Sequence, residues 1–432
     1  MAAVEGLTKI PELRRRILFT IGMLAIYRVG CHIPVPGINT DTLAKFFAGK
    51  QDTLFGMLNM FSGRALENAS IFALGIMPYI SSSIIFQLLT VVVPTLNTLS
   101  KEGELGRKKI NQYTRYATVL IALFQGFGIT KALMSADSAN YVLFSGLKFQ
   151  MLSVITLAAG TSFIMWLGEQ ITERGVGNGT SLIIFSGIAS GIPVAAHQTL
   201  QKVRDGEFSA LMLVILAVFM VVVVGVIIYL EQGQRRIPIQ YAKRNIGGRL
   251  YGGQAAHLPL KINTSGVIPP IFASSLIMAP LTVLSFWQNP ITNYIRDTLH
   301  RGGLVYFTLY VVLIVFFCFF YTAVVFNPDD VAENLKKYGG YVPGIRPGKN
   351  TSEYIDKVLS RITCGGALYL SVICILPDFL ITKFKVSFFF GGTTLLILVG
   401  VALDTVAQIQ TFLLTRDYDG FMKNAKLRGR RG

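Results

Sequence analysis

The chain has 432 residues, of which 52% are hydrophobic and only 15% charged; a soluble domain carries about 25% charged residues, so a water-facing surface over most of its length is excluded. Its 40 Lys and Arg against 23 Asp and Glu leave a net charge of +17, which suits nucleic acid, anionic lipid or an acidic partner until the charge is located along the chain. No phosphate-binding glycine loop, H-E-x-x-H pair or G-x-S-x-G elbow occurs, so the sequence predicts no enzyme, no cofactor and no metal site.

Crossing hydrocarbon about 30 Å thick takes about 20 apolar residues of helix, because an unpaired backbone group there costs several kcal/mol. On that basis the first span is 17–35. The preceding 16 residues are basic, and no small-residue cleavage site follows the apolar block, so it reads as a retained span. Residues 37–69 then form an unusual exterior stretch with an apolar run, Leu54, Phe55, Met57, Leu58, Met60 and Phe61, interrupted by Ser62 and Gly63 and resumed at Leu66. The run is too short to span. It fits either a segment folded back into the bundle beside a water-filled cavity or a helix lying on the outer surface.

The second span, 70–93, is rich in small and polar residues, among them Gly75, Ser81, Ser82, Ser83 and Gln87. Such residues let helices approach, slide and hydrogen-bond to one another. Spans follow at 114–134, 150–172, 178–200, 208–230, 264–286, 303–326, 362–381 and 390–412, ten in all. Basic residues concentrate in the two tails and in the even-numbered connections, which places both termini on the cytoplasmic side.

Two of those connections are long. Residues 231–263 carry Arg235, Arg236, Lys243, Arg244 and Arg249; residues 327–361 carry Lys336, Lys337, Lys357 and a turn rich in Pro and Gly around Arg346. Headgroup contact explains such charge, and so does a docking surface, because aromatic, Gly and Pro residues interleave with it. Cys31, Cys318, Cys364 and Cys374 lie in or beside apolar blocks without a C-x-x-C pair, so all four are expected to be buried, inert thiols. Ion-coupled transporters place ionisable residues near the midplane; Arg28, Glu169 and Asp404 lie elsewhere in their spans and read as structural or snorkelling residues.

Several ordered strings carry a resemblance. They include 33–38 (IPVPGI), 57–63 (MLNMFSG), 70–83 (SIFALGIMPYISSS), 103–116 (GELGRKKINQYTRY) and 166–179 (WLGEQITERGVGNG). Further along come 233–237 (GQRRI), 264–275 (TSGVIPPIFASS), 317–328 (FCFFYTAVVFNP), 342–348 (VPGIRPG) and 390–396 (FGGTTLL). Together they resemble the SecY/Sec61-alpha family of protein-translocon channels. The resemblance implies an all-α membrane protein, with ten helices in two pseudosymmetric halves, 1–200 and 201–432, around a pore.

It further implies a pore ring at Ile76, Ile80, Ile184, Ile271 and Ile397, a short plug helix near 54–68, and a lateral gate between the second and seventh spans that involves Ser81 and Gln87. Thr180 departs from the family at a position where relatives often carry an aliphatic residue. The implied partners are SecE, SecG, the motor ATPase SecA, the translating ribosome, anionic lipid, and signal sequences with unfolded polypeptides. The docking residues would be Arg235, Arg236, Lys243, Arg244, Arg249 and Arg346, and the location the bacterial cytoplasmic membrane.

Overall fold

A computed structural model of the chain describes residues 11–40, 59, 62–135, 146–206, 209–241, 244–246, 249–251, 255–284, 294, 298–299, 303–384 and 392–424. Two compact units emerge: Met1–Gln198 with Ser275–Arg301 and Val401–Gly432, and Thr199–Ser274 with Gly302–Gly400.

The first unit contains α1 (Pro11–Gly30), α2 (Met77–Val92), α3 (Pro94–Lys101), α4 (Glu104–Ser135), α5 (Leu147–Arg174) and most of α6 (Gly179–Arg204). Helix α5 packs on α1, α2 and α4, and α2 also packs on α4. A buried cluster of Val35, Leu66, Ala69, Ala73, Leu74, Ala122, Leu157 and Ala158 lies at these contacts. Half of it is alanine, and helices separated by Ala can approach closely enough for dispersion to hold them in lipid.

The second unit contains α7 (Ala210–Gln232), β1 (Gln234–Tyr241), β2 (Arg244–Ile246), β3 (Arg249–Tyr251) and β4 (Ala255–Lys261). It continues through the start of α8 (Ile268–Leu284), then α9 (Leu304–Val325), α10 (Pro328–Lys337), β5 (Gly340–Tyr341), α11 (Lys349–Phe384) and the start of α12 (Gly392–Asn424). Strands β4, β1 and β5 form an antiparallel sheet in that order, and β2 pairs with β3. Local signals set several helix starts. Ser209 accepts from the Leu211 amide before α7, and Asn327 from the Asp329 amide before α10. Helix α10 also has Asp329 and Asp330 in its first turn and Lys336 and Lys337 in its last, matching the helix dipole.

Each of the ten expected spans overlaps a helix. Among the described residues six helices are long and apolar enough to cross a membrane, and α2 with α3, bent by 99° between them, makes a seventh when the pair is counted as one span. Helix α1 is not among them, because Arg14, Arg15, Arg16 and Arg28 leave it no charge-poor stretch long enough.

Two expectations need correction. The second span was expected from residue 70, yet its helix starts at Met77, and residues 71–76 form turns. Left-handed backbone at Ala69 (φ 46°) and Gly75 (φ 58°) interrupts any helix there, and Pro78 in the first turn suits a helix beginning just before it. Cys364 is exposed, whereas the other three cysteines are buried. It shares an outward stripe of α11 with Leu368 and Val372, at four-residue intervals and 66% and 51% exposed.

Candidate channel lining and docking surface

Ile76 occupies the N-cap of α2, where its carbonyl accepts from the Tyr79 and Ile80 amides, both at 3.1 Å. Ile76 and Ile80 are one turn apart and share a helix face. Their exposures are 2% and 7%; Ile184 in α6, Ile271 in α8 and Ile397 in α12 have 3%, 6% and 0%. Val92, Leu120 and Val221 are 69–75% exposed, so none of the five isoleucines is turned outward as those side chains are. Thr180 has a local explanation. Its hydroxyl donates to Asn178 Oδ1 at 2.7 Å, and that oxygen also accepts from the Thr180 and Ser181 amides, so the polar residue belongs to the cap that starts α6.

Of the expected plug residues, Leu54, Phe55, Met57, Leu58, Met60 and Phe61 lie outside the described residues. Ser62, Gly63 and Leu66 are described, and they are tied to α1. The Tyr27 hydroxyl donates to the Ser62 carbonyl at 3.1 Å, an Arg28 guanidinium nitrogen to the Gly63 carbonyl at 3.0 Å, and the Asn68 side-chain Nδ2 to the Cys31 carbonyl at 3.2 Å. Tyr27 also stacks on Phe72, which stacks in turn on Phe163, each pair 6.0 Å between centroids.

Arg28 thus has a protein partner, and Glu169 has another, since Arg115 Nε lies 2.8 Å from Glu169 Oε1 between α4 and α5. Asp404 is exposed. On α2, Ser81 is half-buried and Gln87 bonds within its own helix, to Ser83 Oγ at 3.5 Å. The residue that bonds across helices is Ser82, whose buried hydroxyl donates to the Thr114 carbonyl of α4 at 2.8 Å. Sequence inspection singled out the cluster of serines but had no means of choosing among them. Tyr27, Asn68 and Phe72 were not singled out at all; the one available signal was Arg28, because an arginine in an apolar span needs a partner.

The long basic connections fold into the sheet. Along β1, Arg235 and Arg236 are exposed while Ile237 and Ile239 are buried. Ile237 packs with Leu260, Val342 and Ile355, and Phe326, Leu335, Ile345 and Tyr354 close around them. Arg346 projects from the turn between β5 and α11. Gly344 (φ 83°) and Gly348 (φ 107°) permit that turn, the Thr351 hydroxyl donates to the Arg346 carbonyl at 2.9 Å, and the Arg346 side chain is exposed. Backbone direction is therefore held while the guanidinium is presented outward. Arg244 and Arg249 belong to the β2–β3 hairpin, where they pair with Tyr251 and Ile246; Lys243 lies outside the described residues.

The comparisons with known proteins agree with one another. The SecY family model matches residues 70–406. Protein translocase subunit SecY of Escherichia coli (strain K12) is 51% identical over 427 residues, covering 97% of this chain and 96% of the relative. The Vibrio cholerae protein of the same name is 50% identical, covering 99% of this chain and 97% of the relative. A solved structure described as a protein-conducting channel superposes with a TM-score of 0.66 at 18% identity, covering 94% of this chain and 96% of the other. Sec61 in the canine ribosome–channel complex from the endoplasmic reticulum gives 0.61 at 17%, with the same coverage. The structures establish the fold and the sequences the kinship: this chain belongs to the SecY family.

Proposed function

We propose that the chain is the protein-conducting channel that passes unfolded secretory polypeptides across the bacterial cytoplasmic membrane and releases signal and membrane segments sideways into lipid. In this reading Ile76, Ile80, Ile184, Ile271 and Ile397 form the constriction. Branched side chains with few rotamers exclude hydrated ions by dewetting, yet they offer no hydrogen bonds to grip a passing peptide. Residues 1–200 and 201–432 act as two halves, and the gate opens between α2 and α8, with Ser81 and Gln87 on the α2 side. A plug within 54–68 covers the exterior side, and both termini are cytoplasmic.

No covalent chemistry is needed in the channel, so the driving energy comes from a partner or from the membrane potential. Arg235, Arg236 and Arg346, with Lys243, Arg244 and Arg249 nearby in sequence, dock the motor ATPase SecA or a translating ribosome, because guanidinium groups grip carboxylate and phosphate in two-pronged fashion. SecE and SecG complete the assembly, and anionic lipid meets the remaining basic surface. The canine ribosome–channel complex supports the ribosome as a partner.

The observation that carries the reading is the burial of all five isoleucines, while apolar side chains such as Val92, Leu120 and Val221 are exposed. The test is the combined change of Ile76, Ile184 and Ile271 to Ser in reconstituted vesicles. Ion conductance should rise and the demand for a strong signal sequence should relax. Conductance equal to that of the unaltered channel would remove these residues from the constriction.

A further inference from the structure

We propose that Tyr27 and Arg28 are positioning residues that hold residues 62–70 as a fixed collar on α1, so that this stretch stays in place when the channel opens. The proposal deepens the plug reading above and rests on it: of the stretch 54–68, the part from Ser62 onward would not travel.

Three sets of contacts carry it. The first joins the stretch to α1 and the residues that follow it. Besides the bonds from Tyr27, Arg28 and Asn68, the Val35 amide donates to the Ala69 carbonyl at 2.8 Å and the Ile71 amide to the Ile33 carbonyl at 2.9 Å, either side of an antiparallel bridge between Pro34 and Ser70. Side-chain bonds thus hold Ser62, Gly63 and Asn68, and backbone bonds hold Ala69 and Ile71.

The second set closes it on itself. Arg64 and Glu67 form a two-pronged ion pair, both contacts at 2.9 Å. Asn59 donates to Glu67 Oε2 at 3.1 Å and accepts from the Glu67 amide at 2.9 Å, while the Arg64 amide donates to the Asn59 carbonyl at 2.7 Å. This clasp holds consecutive left-handed residues, Gly63 (φ 68°) and Arg64 (φ 67°), in a conformation that a free segment would abandon.

The third set is burial. Ala65 is 0% exposed, Ser62 1%, Ala69 3% and Leu66 6%, and Leu66 and Ala69 belong to the cluster that joins α4 and α5. A Cβ added at Gly63 would meet Gly187 Cα at 2.9 Å, so α6 walls the collar three residues beyond Ile184. A bistable element must have states that differ by only a few kcal/mol. A stretch whose departure breaks all of these contacts at once does not qualify.

The experiment uses the reconstituted channel complex with its motor and ATP. In a background with the four native cysteines replaced, His32→Cys and Asn68→Cys are joined by a short, reducible bifunctional reagent; the native side chains lie 3.3 Å apart. The joined channel should translocate at the unjoined rate. Loss of translocation that returns on reduction would overturn the proposal. As a second measurement, Arg28→Met should raise ion leak about tenfold, the weight of one charge-assisted hydrogen bond. Arg28→Lys should recover part of the seal, and Tyr27→Phe, which keeps the ring stacking, should leak to a smaller degree. Leak equal to wild type in Arg28→Met would remove Arg28 from the collar. Deletion of residues 54–58 separates the two readings: if it changes neither leak nor translocation, the plug reading fails, whereas the collar is judged by the joined pair alone.

Discussion

Ile355 offers the sharpest test of how the proposed docking surface is built. It is 0% exposed at the start of α11, and it packs with Ile237 of β1, Leu260 of β4 and Val342, just after β5. Ile355→Ala removes three carbons at about 0.8 kcal/mol each, and the unfilled space adds to that, for a cost of about 3 kcal/mol. Because about 1.4 kcal/mol is a factor of ten in an equilibrium constant, the sheet should open about a hundredfold more often. Hydrogen exchange reads this directly. The amides of β1 around Ile237 and Ile239, which pair with Leu258 and Ala256, should lose about two decades of protection. Motor affinity should fall although Arg235, Arg236 and Arg346 are untouched. Unchanged protection along β1 would refute the reasoning, because the sheet would then be held by something other than this cluster.

Arg346→Glu should abolish motor-driven transport while changing thermal stability by less than about 0.5 kcal/mol, since the side chain is exposed; normal translocation with normal motor binding would return the arginine to a lipid-anchoring role. Gly30→Val should destabilise the protein by about 1–3 kcal/mol, because the added carbons would occupy the space of the Phe72 ring, and detergent melting measures the loss. A double-mutant cycle on Arg115 and Glu169 should give a coupling of about 1 kcal/mol, as the arginine side chain is 46% exposed. A cycle near zero would make the pair incidental to packing.

The ordered apolar blocks were legible because lipid imposes a severe rule: backbone groups must be satisfied within the segment, so a span must read as a long uninterrupted apolar helix. Every expected span accordingly overlaps a helix. Helix starts with a capping side chain, such as Ser209 and Asn327, were written locally as well. The ring and gate residues entered through the resemblance, since spacing alone shows that Ile76 and Ile80 share a face and nothing about which other helices they meet.

What the sequence determined by itself was therefore the placement of the apolar helices and the position of the basic connections. Only tertiary structure decided the pairing of Gln234 with Lys261 in the three-stranded sheet, the choice of Ser82 over Ser81 as the residue that bonds across to Thr114, the outward turn of Cys364, and the grip of Arg28 on a carbonyl 35 residues away. The physical reason is common to all four. Helical period and local capping act within a few residues, whereas these contacts depend on which face of one segment meets another segment distant in the chain, and that is settled by packing.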